Sequence, residues 1–309
     1  MKTKKIASTL SRVVGVDSKN ALEFEGFKWK MGDTTGANIE YMTDLNDLVK
    51  YAHLFIRQIA KDENIDLENI AVSLPTDTYY MSNAKDDGGI VKKLEDEIKK
   101  NIKNIKKVLV LPQGVAAVQY LLAKKEIDLK DGHVLVIDGG FNTLNISIID
   151  SKDGDILLSE SIYNELGVYN LLNNFFKEEL KTKYDEVTSN MQMLKKVFLE
   201  ERIEAGFNVI DVKKEKQRAL QVFIPKLINR VISEVKKGNK SFNQIVFVGG
   251  ISHYIDKESI ETTKKLHIPK EDGEFLTVLG MREIAGEDYD VFDIGFGDTK
   301  YILKGKKND

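Results

Sequence analysis

VLVIDGGFNT, residues 134–143, is matched later in the chain by VFDIGFGDT, residues 291–299. Each is an apolar run leading into an aspartate, Asp138 or Asp293, then glycine, phenylalanine and a polar turn. A second strand-like run follows both, NISII at 145–149 and KYIL at 300–303, so each segment is expected to be a β-hairpin with a glycine-bearing tip. One such tip is an ordinary tight turn. Two at matching strand ends, with a third turn at Gly249-Gly250-Ile251 after the buried-type strand Gln244–Val248, make an internal duplication.

Glycine lets a backbone turn sharply and brings N–H groups close to anionic oxygens. Two tips facing each other would grip one triphosphate. The aspartate ending each first strand would then lie beside phosphate, where its charge is tolerable only with a cation between them. Asp138 and Asp293 therefore read as ligands, through water, of one shared Mg2+.

The flanking sequence agrees with a large α/β protein. At 309 residues, two domains are expected. The net charge of -3, from 46 basic and 49 acidic residues, offers no field for direct nucleic-acid binding. Absence of cysteine removes disulfides and thiolate chemistry and fits the cytoplasm. No signal peptide or membrane span is visible, and the four histidines show no metal-ligand spacing.

Working outward, strand-like runs at Lys5–Ala7, Arg12–Val16 and Ala21–Trp29 precede a loop at Met31–Asn38. Asp44 caps an amphipathic helix through Ile59. Asn69–Leu74 reads as a strand stopped by Pro75, Gly89–Ile102 as a helix and Val108–Leu111 as a buried strand. Pro112-Gln113-Gly114 then turns directly into an apolar helix and presents Gln113 at a strand end. A domain boundary is placed near Asp128–Asp131. Helices are expected at Gly167–Leu180, Met191–Glu204 and Gln217–Lys236, the last kinked or broken at Pro225, with a strand at Val209–Lys213. Phe275–Ile284 reads as a short helix and Tyr289–Asp293 as a final buried strand.

These residues resemble the actin, heat-shock ATPase and sugar-kinase superfamily. Asp293, Gly295, Phe296, Gly297, Asp298, Thr299 and Lys300 look like its first phosphate motif, and Asp138, Gly139, Gly140, Phe141, Asn142 and Thr143 like its second. Val248-Gly249-Gly250 looks like the adenosine motif, and Pro112–Ala117 like the first connecting segment of ParM-type and archaeal actin-like proteins. Leu279-Gly280 resembles the second connecting helix. The resemblance implies an α/β, two-domain actin-like ATPase (ribonuclease H-like) fold with a nucleotide cleft. Domain I would be 1–128 plus 288–309, and domain II 129–287 with a helical subdomain at about 171–240.

In that superfamily the first phosphate hairpin opens the chain, whereas here it lies at residues 291–303. Circular permutation would account for this, with Lys300–Lys304 as strand two, Lys4–Ala7 as strand three, and residues 305–309 and 1–3 as a severed turn.

By the resemblance the chain binds ATP/ADP with Mg2+ and hydrolyses ATP. Gln113 would position the water, since a neutral amide both accepts and donates. Lys300 would reach phosphate, Gly167 would admit the sugar to a helix N-terminus, and Glu201 would lie near the purine and ribose. Implied partners are further copies of the chain in head-to-tail filaments and an adaptor protein on plasmid DNA. The alternatives are a sugar/acetate-type kinase, for which Asp77 is the candidate base, and a non-hydrolysing pilus or division scaffold.

Overall fold

The computed structural model describes residues 2–14, 20–32, 39–83, 89–163, 165–181, 184, 191–205, 208–255, 257–269 and 273–305. Two five-stranded sheets organise it. The first has the order β1 (Lys4–Ala7), β16 (Asp298–Ile302), β15 (Asp290–Ile294), β6 (Asn69–Leu74), β7 (Lys107–Pro112). The second runs β10 (Ile156–Tyr163), β9 (Thr143–Ile149), β8 (Val134–Gly139), β13 (Gln244–Val248), β14 (Lys265–His267). In each, the first three strands pair antiparallel and the last two continue parallel from the third.

The sheets thus share one layout but are threaded differently. In the second, the hairpin β8–β9 comes before its edge strand β10. In the first, the equivalent hairpin β15–β16 follows everything else, and its edge partner β1 precedes everything else, with Lys4 opposite Tyr301 and Ala7 opposite Asp298. Both hairpins of the duplication are therefore the central strands of their sheets. The turn expected between residues 305–309 and 1–3 lies largely outside the described residues.

Helix α1 (Leu45–Asp62) is fixed at its start by Asp44, whose carboxylate accepts from the Asn46 and Asp47 N–H groups. Its buried stripe of Leu48, Ala52, Phe55, Ile56 and Ile59 joins the first sheet's core with Val72, Phe292 and Ile294. A smaller sheet of strands β2 (Thr9–Arg12), β3 (Leu22–Phe24), β4 (Phe27–Met31) and β5 (Ile39–Tyr41) covers the same core, with Trp29 inside. Of the strand expected at Arg12–Val16, Arg12 ends β2, while residues 15 and 16, like most of the loop expected at Met31–Asn38, lie outside the described residues. After Pro75 the chain forms α2 (Thr76–Asn83), a helix with almost no amphipathic pattern to announce it, before α3 (Ile90–Asn101).

Two helices lie between the sheets. Helix α4 (Gln113–Ala123) gives Ala116 to the first sheet's cluster and Ala117, Val118 and Leu121 to the second's. Helix α9 (Leu276–Ala285) is shared in the same way, through Val278 and Met281 on one side and Leu276 on the other. They cross at Gly280, where any Cβ would overlap the Ala116 carbonyl.

On the far side of the second sheet, α5 (Val168–Asn170) runs through a π turn at Leu171–Phe176 into α6 (Lys177–Lys181). The helix expected to reach Glu204 stops at Glu200 as α7 (Met191–Glu200), because Glu201 takes a left-handed φ of 57°. Arg202–Ala205 (β11) then pairs with Asn208–Asp211 (β12) as a small hairpin. Helix α8 (Lys213–Gly238) runs unbroken through Pro225, because its stripe of Ala219, Phe223, Leu227, Val231 and Val235 is buried on both sides of the proline.

Candidate functional site

The central hairpins close in the same way. Gly140 N–H donates to the Thr143 carbonyl at 2.8 Å, and Gly295 N–H to the Asp298 carbonyl at 3.2 Å. Each aspartate ends its strand opposite a polar residue of the return strand: Asp138 faces Asn145, and Asp293 faces Lys300. The hairpins touch, since a Cβ on Gly297 would lie 2.7 Å from the Phe141 side chain. Phe141 also packs against the cores of both sheets.

Between them is a cavity of about 410 Å³. Gln113, Asp138 and Asp293 line it, together with Gly140, Phe141 and Thr143 from one hairpin and Gly295, Phe296, Gly297, Asp298 and Lys300 from the other. Gly249 and Gly250 complete this wall from the end of β13. Gly249 has a φ of 76°, and a side chain there would run into the Asp138 carboxylate and the Gly139 backbone, so glycine is required twice over.

The remaining residues singled out in the sequence do not line the cavity. Thr299 points to the other face of β16, as strand alternation requires, and its hydroxyl is 2.9 Å from that of Ser8. Gly139 is covered by the side chain of Ile251, itself fully buried. Gly167 abuts the Phe141 backbone. The first N–H groups of its helix are already used, Val168 N–H donating to Gly140 O at 3.0 Å and Tyr169 N–H to Phe141 O at 2.7 Å. That helix start therefore anchors the hairpin. Glu201 pairs with Lys216 at 2.8 Å, and it is Lys216 that reaches the cavity. Asn142 keeps a buried Oδ1 with no hydrogen-bond partner. Asp77 is absent from the lining; its carboxylate accepts from Ser161 and Thr78 instead.

Charge is concentrated around the two aspartates. Asp138 has its pKa pushed up to about 6, by burial first and then by the Asp293 carboxylate, with Lys300 and Asn145 opposing. Burial works to lower the Lys300 pKa, but the carboxylates of Asp293, Asp298, Glu274 and Asp138 outweigh it and hold the ammonium above its usual value. Lys300 Nζ lies 3.7 Å from Asp293 Oδ2. Asp293 Oδ1 accepts from Ser73 at 2.6 Å and from the Gln113 amide at 3.1 Å. Gln113 is thus tethered to the carboxylate of one hairpin, and its Oε1 lies 3.5 Å from Asn145 Nδ2 of the other.

Two sheets of one layout, each offering a glycine hairpin to a shared cavity, with paired helices crossing between them, decide the fold. The chain has the actin-like fold. Residues 136–259 match the family model for the C-terminal region of archaeal actin homologue MreB-like proteins. The crystal structure of the archaeal actin homologue Ta0583 is similar at a TM-score of 0.69 and 20% identity, covering 91% of this chain and 97% of that one. Its complex with ADP gives a TM-score of 0.68 at 20% identity, covering 91% and 90%. A 15-stranded ParM filament from Clostridium botulinum gives 0.61 at 18% identity, covering 89% and 90%. No curated protein matches the chain.

The sequence reading missed several cavity residues. Lys5, Lys195 and Lys216 bring positive charge, and Glu274, His253 and Tyr254 line the same space. The duplication does flag Asn145, which stands at the same offset from Asp138 as Lys300 does from Asp293. Nothing in the local sequence flags Lys195 or Lys5, since a lysine among lysines carries no pattern.

Proposed function

We propose that this protein binds ATP with Mg2+ between its two sheets, hydrolyses it, and assembles head to tail into filaments in the cytoplasm. The carrying observation is the convergence of Asp138 and Asp293, from opposite sheets, on one cavity with Gln113 at 3.1 Å from Asp293. The donor set suits a hydrated hard cation, with two carboxylates, Asp138 and Asp293, on one cavity. When bound, Mg-ATP supplies the electrophilic γ-phosphoryl group and its countercharge. The chain's own groups do the rest. The hairpin N–H groups and Lys300 hold anionic oxygens, and the Gln113 amide orients a water. Lys216, Tyr254 and Gly250 line the same cavity and are the groups this reading gives to the base and sugar.

We place the domain division between the sheets, 1–128 plus 288–309 against 129–287, and take α4 and α9 as connectors that let the halves close on nucleotide. The differing threading of two like sheets supports circular permutation. A heterologous contact that does not close on itself yields filaments, and plasmid segregation through a DNA-bound adaptor is the task this reading assigns. Phosphate release measured alongside light scattering, with and without Mg-ATP, tests it. Filaments that form only with nucleotide, followed by phosphate release, are expected; no nucleotide-dependent change in either signal would end the reading.

A further inference from the structure

One proton in the structure is claimed by two acceptors. The Ser161 hydroxyl on β10 lies 2.5 Å from Asp77 Oδ1 on α2 and 2.6 Å from Asn145 Oδ1 on β9, directly across the strand pair. A hydroxyl has a single hydrogen to give. Asn145 cannot turn to relieve the conflict. Its amide nitrogen faces Gln113 Oε1 at 3.5 Å, on the strand position opposite Asp138, while Gln113 donates in turn to Asp293. Reversing Gln113 would set its oxygen against the Asp293 carboxylate, and reversing Asn145 alone would set two amide oxygens against each other. Nor is Asp77 free to leave, because the same Oδ1 accepts from the Thr78 N–H at 2.5 Å and its hydroxyl at 3.2 Å.

Asp77 and Gln113 stand at the starts of α2 and α4, which follow strands β6 and β7 of the first sheet, whereas Asn145 and Ser161 are on strands of the second. We propose that Asp77 is a positioning residue which, by drawing the Ser161 proton away from Asn145, sets how firmly the Gln113 amide is held for hydrolysis. Approach of α2 to β10 then loosens the chain Ser161–Asn145–Gln113, and separation tightens it. This rests on the hydrolytic reading of the site.

The test uses the full chain and compares wild type, Asp77→Asn and Ser161→Ala. An amide oxygen is a weaker acceptor than a carboxylate, so Asp77→Asn returns the proton to Asn145 and should raise kcat about two- to threefold. Ser161→Ala leaves Asn145 Oδ1 without its donor and should lower kcat about fivefold or more. KM should stay within about twofold in both, and the Asn145 side-chain amide resonance, followed by selective 15N labelling, should move in opposite directions. If the contact merely clamps the halves together, both variants will lose kcat and nucleotide affinity in the same direction, and the proposal falls. It falls equally if both keep wild-type kinetics and an unmoved resonance. Should wild type release no phosphate, the hydrolytic reading fails separately, and the Asn145 resonance alone decides: opposite shifts sustain the coupling and unchanged shifts overturn it.

Discussion

Lys195 Nζ lies 2.7 Å from Asp298 Oδ2, joining α7 behind the second sheet to the last hairpin of the first. Both side chains keep only 18% exposure, so this pair is sheltered enough for its geometry to matter. Both line the cavity, where removing Lys195 would leave the Asp298 charge facing nucleotide phosphate. Lys195→Ala should speed release of a fluorescent ADP by about fivefold, with the effect shrinking as salt is raised. Stopped-flow displacement at two ionic strengths reads this directly, and an unchanged rate at low salt would show that the pair has no part in retention.

Gln113 donates to Asp293 and Ser73 from Nε2, and its Oε1, which faces Asn145 Nδ2, keeps a second lone pair to accept from a water. Gln113→Ala should cut single-turnover phosphate release by about 10- to 100-fold while ATP affinity changes less than about threefold. Gln113→Glu adds a third carboxylate beside Asp138 and Asp293 and should weaken nucleotide binding without a cation. Equal losses in affinity and rate for the alanine variant would mean that the amide holds nucleotide instead of water.

The hairpins were legible because strand, aspartate and glycine tip are local and occur twice. So was α1, whose stripe and Asp44 cap are both sequence signals. The helix α2 was not, since its short mixed segment is held by tertiary contacts with little pattern of its own. Glu201 could be located in sequence, but its pairing with Lys216, which reaches the cavity in its place, joins separate elements and has no local signature. Long-range pairs such as Lys195 with Asp298 and Asp77 with Ser161 have no local signature, because they join residues about a hundred positions apart through the packing of separate elements.

If Asp138 holds the proposed Mg2+, its raised pKa makes that binding pH-dependent. A carboxyl whose folded pKa stands near 6, above its ordinary value of 3.8, stabilises the free protein fully below 3.8 and loses that contribution as pH rises through 6. A hydrated cation needs the carboxylate, so binding at pH 6 should release roughly half a proton, and Mg-ADP affinity should rise between pH 5 and 7. Calorimetry in two buffers of different ionisation heat counts the proton. Asp138→Asn should abolish the release; a wild-type count of zero would place the titration elsewhere.

At the crossing of α4 and α9, Gly280 has no room for even one carbon against Ala116. Gly280→Ala forces the two helices apart where they join the sheets, at a cost of roughly 1–3 kcal/mol. Its midpoint in urea should fall accordingly, and Gly280→Val should fall further. Because the same helices connect the halves, nucleotide-dependent protection from protease should weaken as well. A wild-type midpoint for the alanine variant would show that the crossing adjusts at no cost.

His53 gives the fold an acid limit of its own. It is fully buried on α1 with neither ring nitrogen hydrogen-bonded, its ring set edge-on to Phe24 at 4.6 Å. Burial, helped by the Arg57 charge, lowers its pKa from 6.5 to about 4. The folded state therefore keeps it neutral where the unfolded chain takes up a proton, so nothing is lost above pH 6.5 and stability declines steadily from 6.5 to 4. The decline should total about 3 kcal/mol, at 1.36 kcal/mol per unit. His53→Leu removes the titrating group and two unpartnered polar atoms together, so its unfolding free energy should lose less between pH 6.5 and 4 than wild type does. Urea melts at several pH values measure both slopes, and parallel curves for the two proteins would refute the assignment.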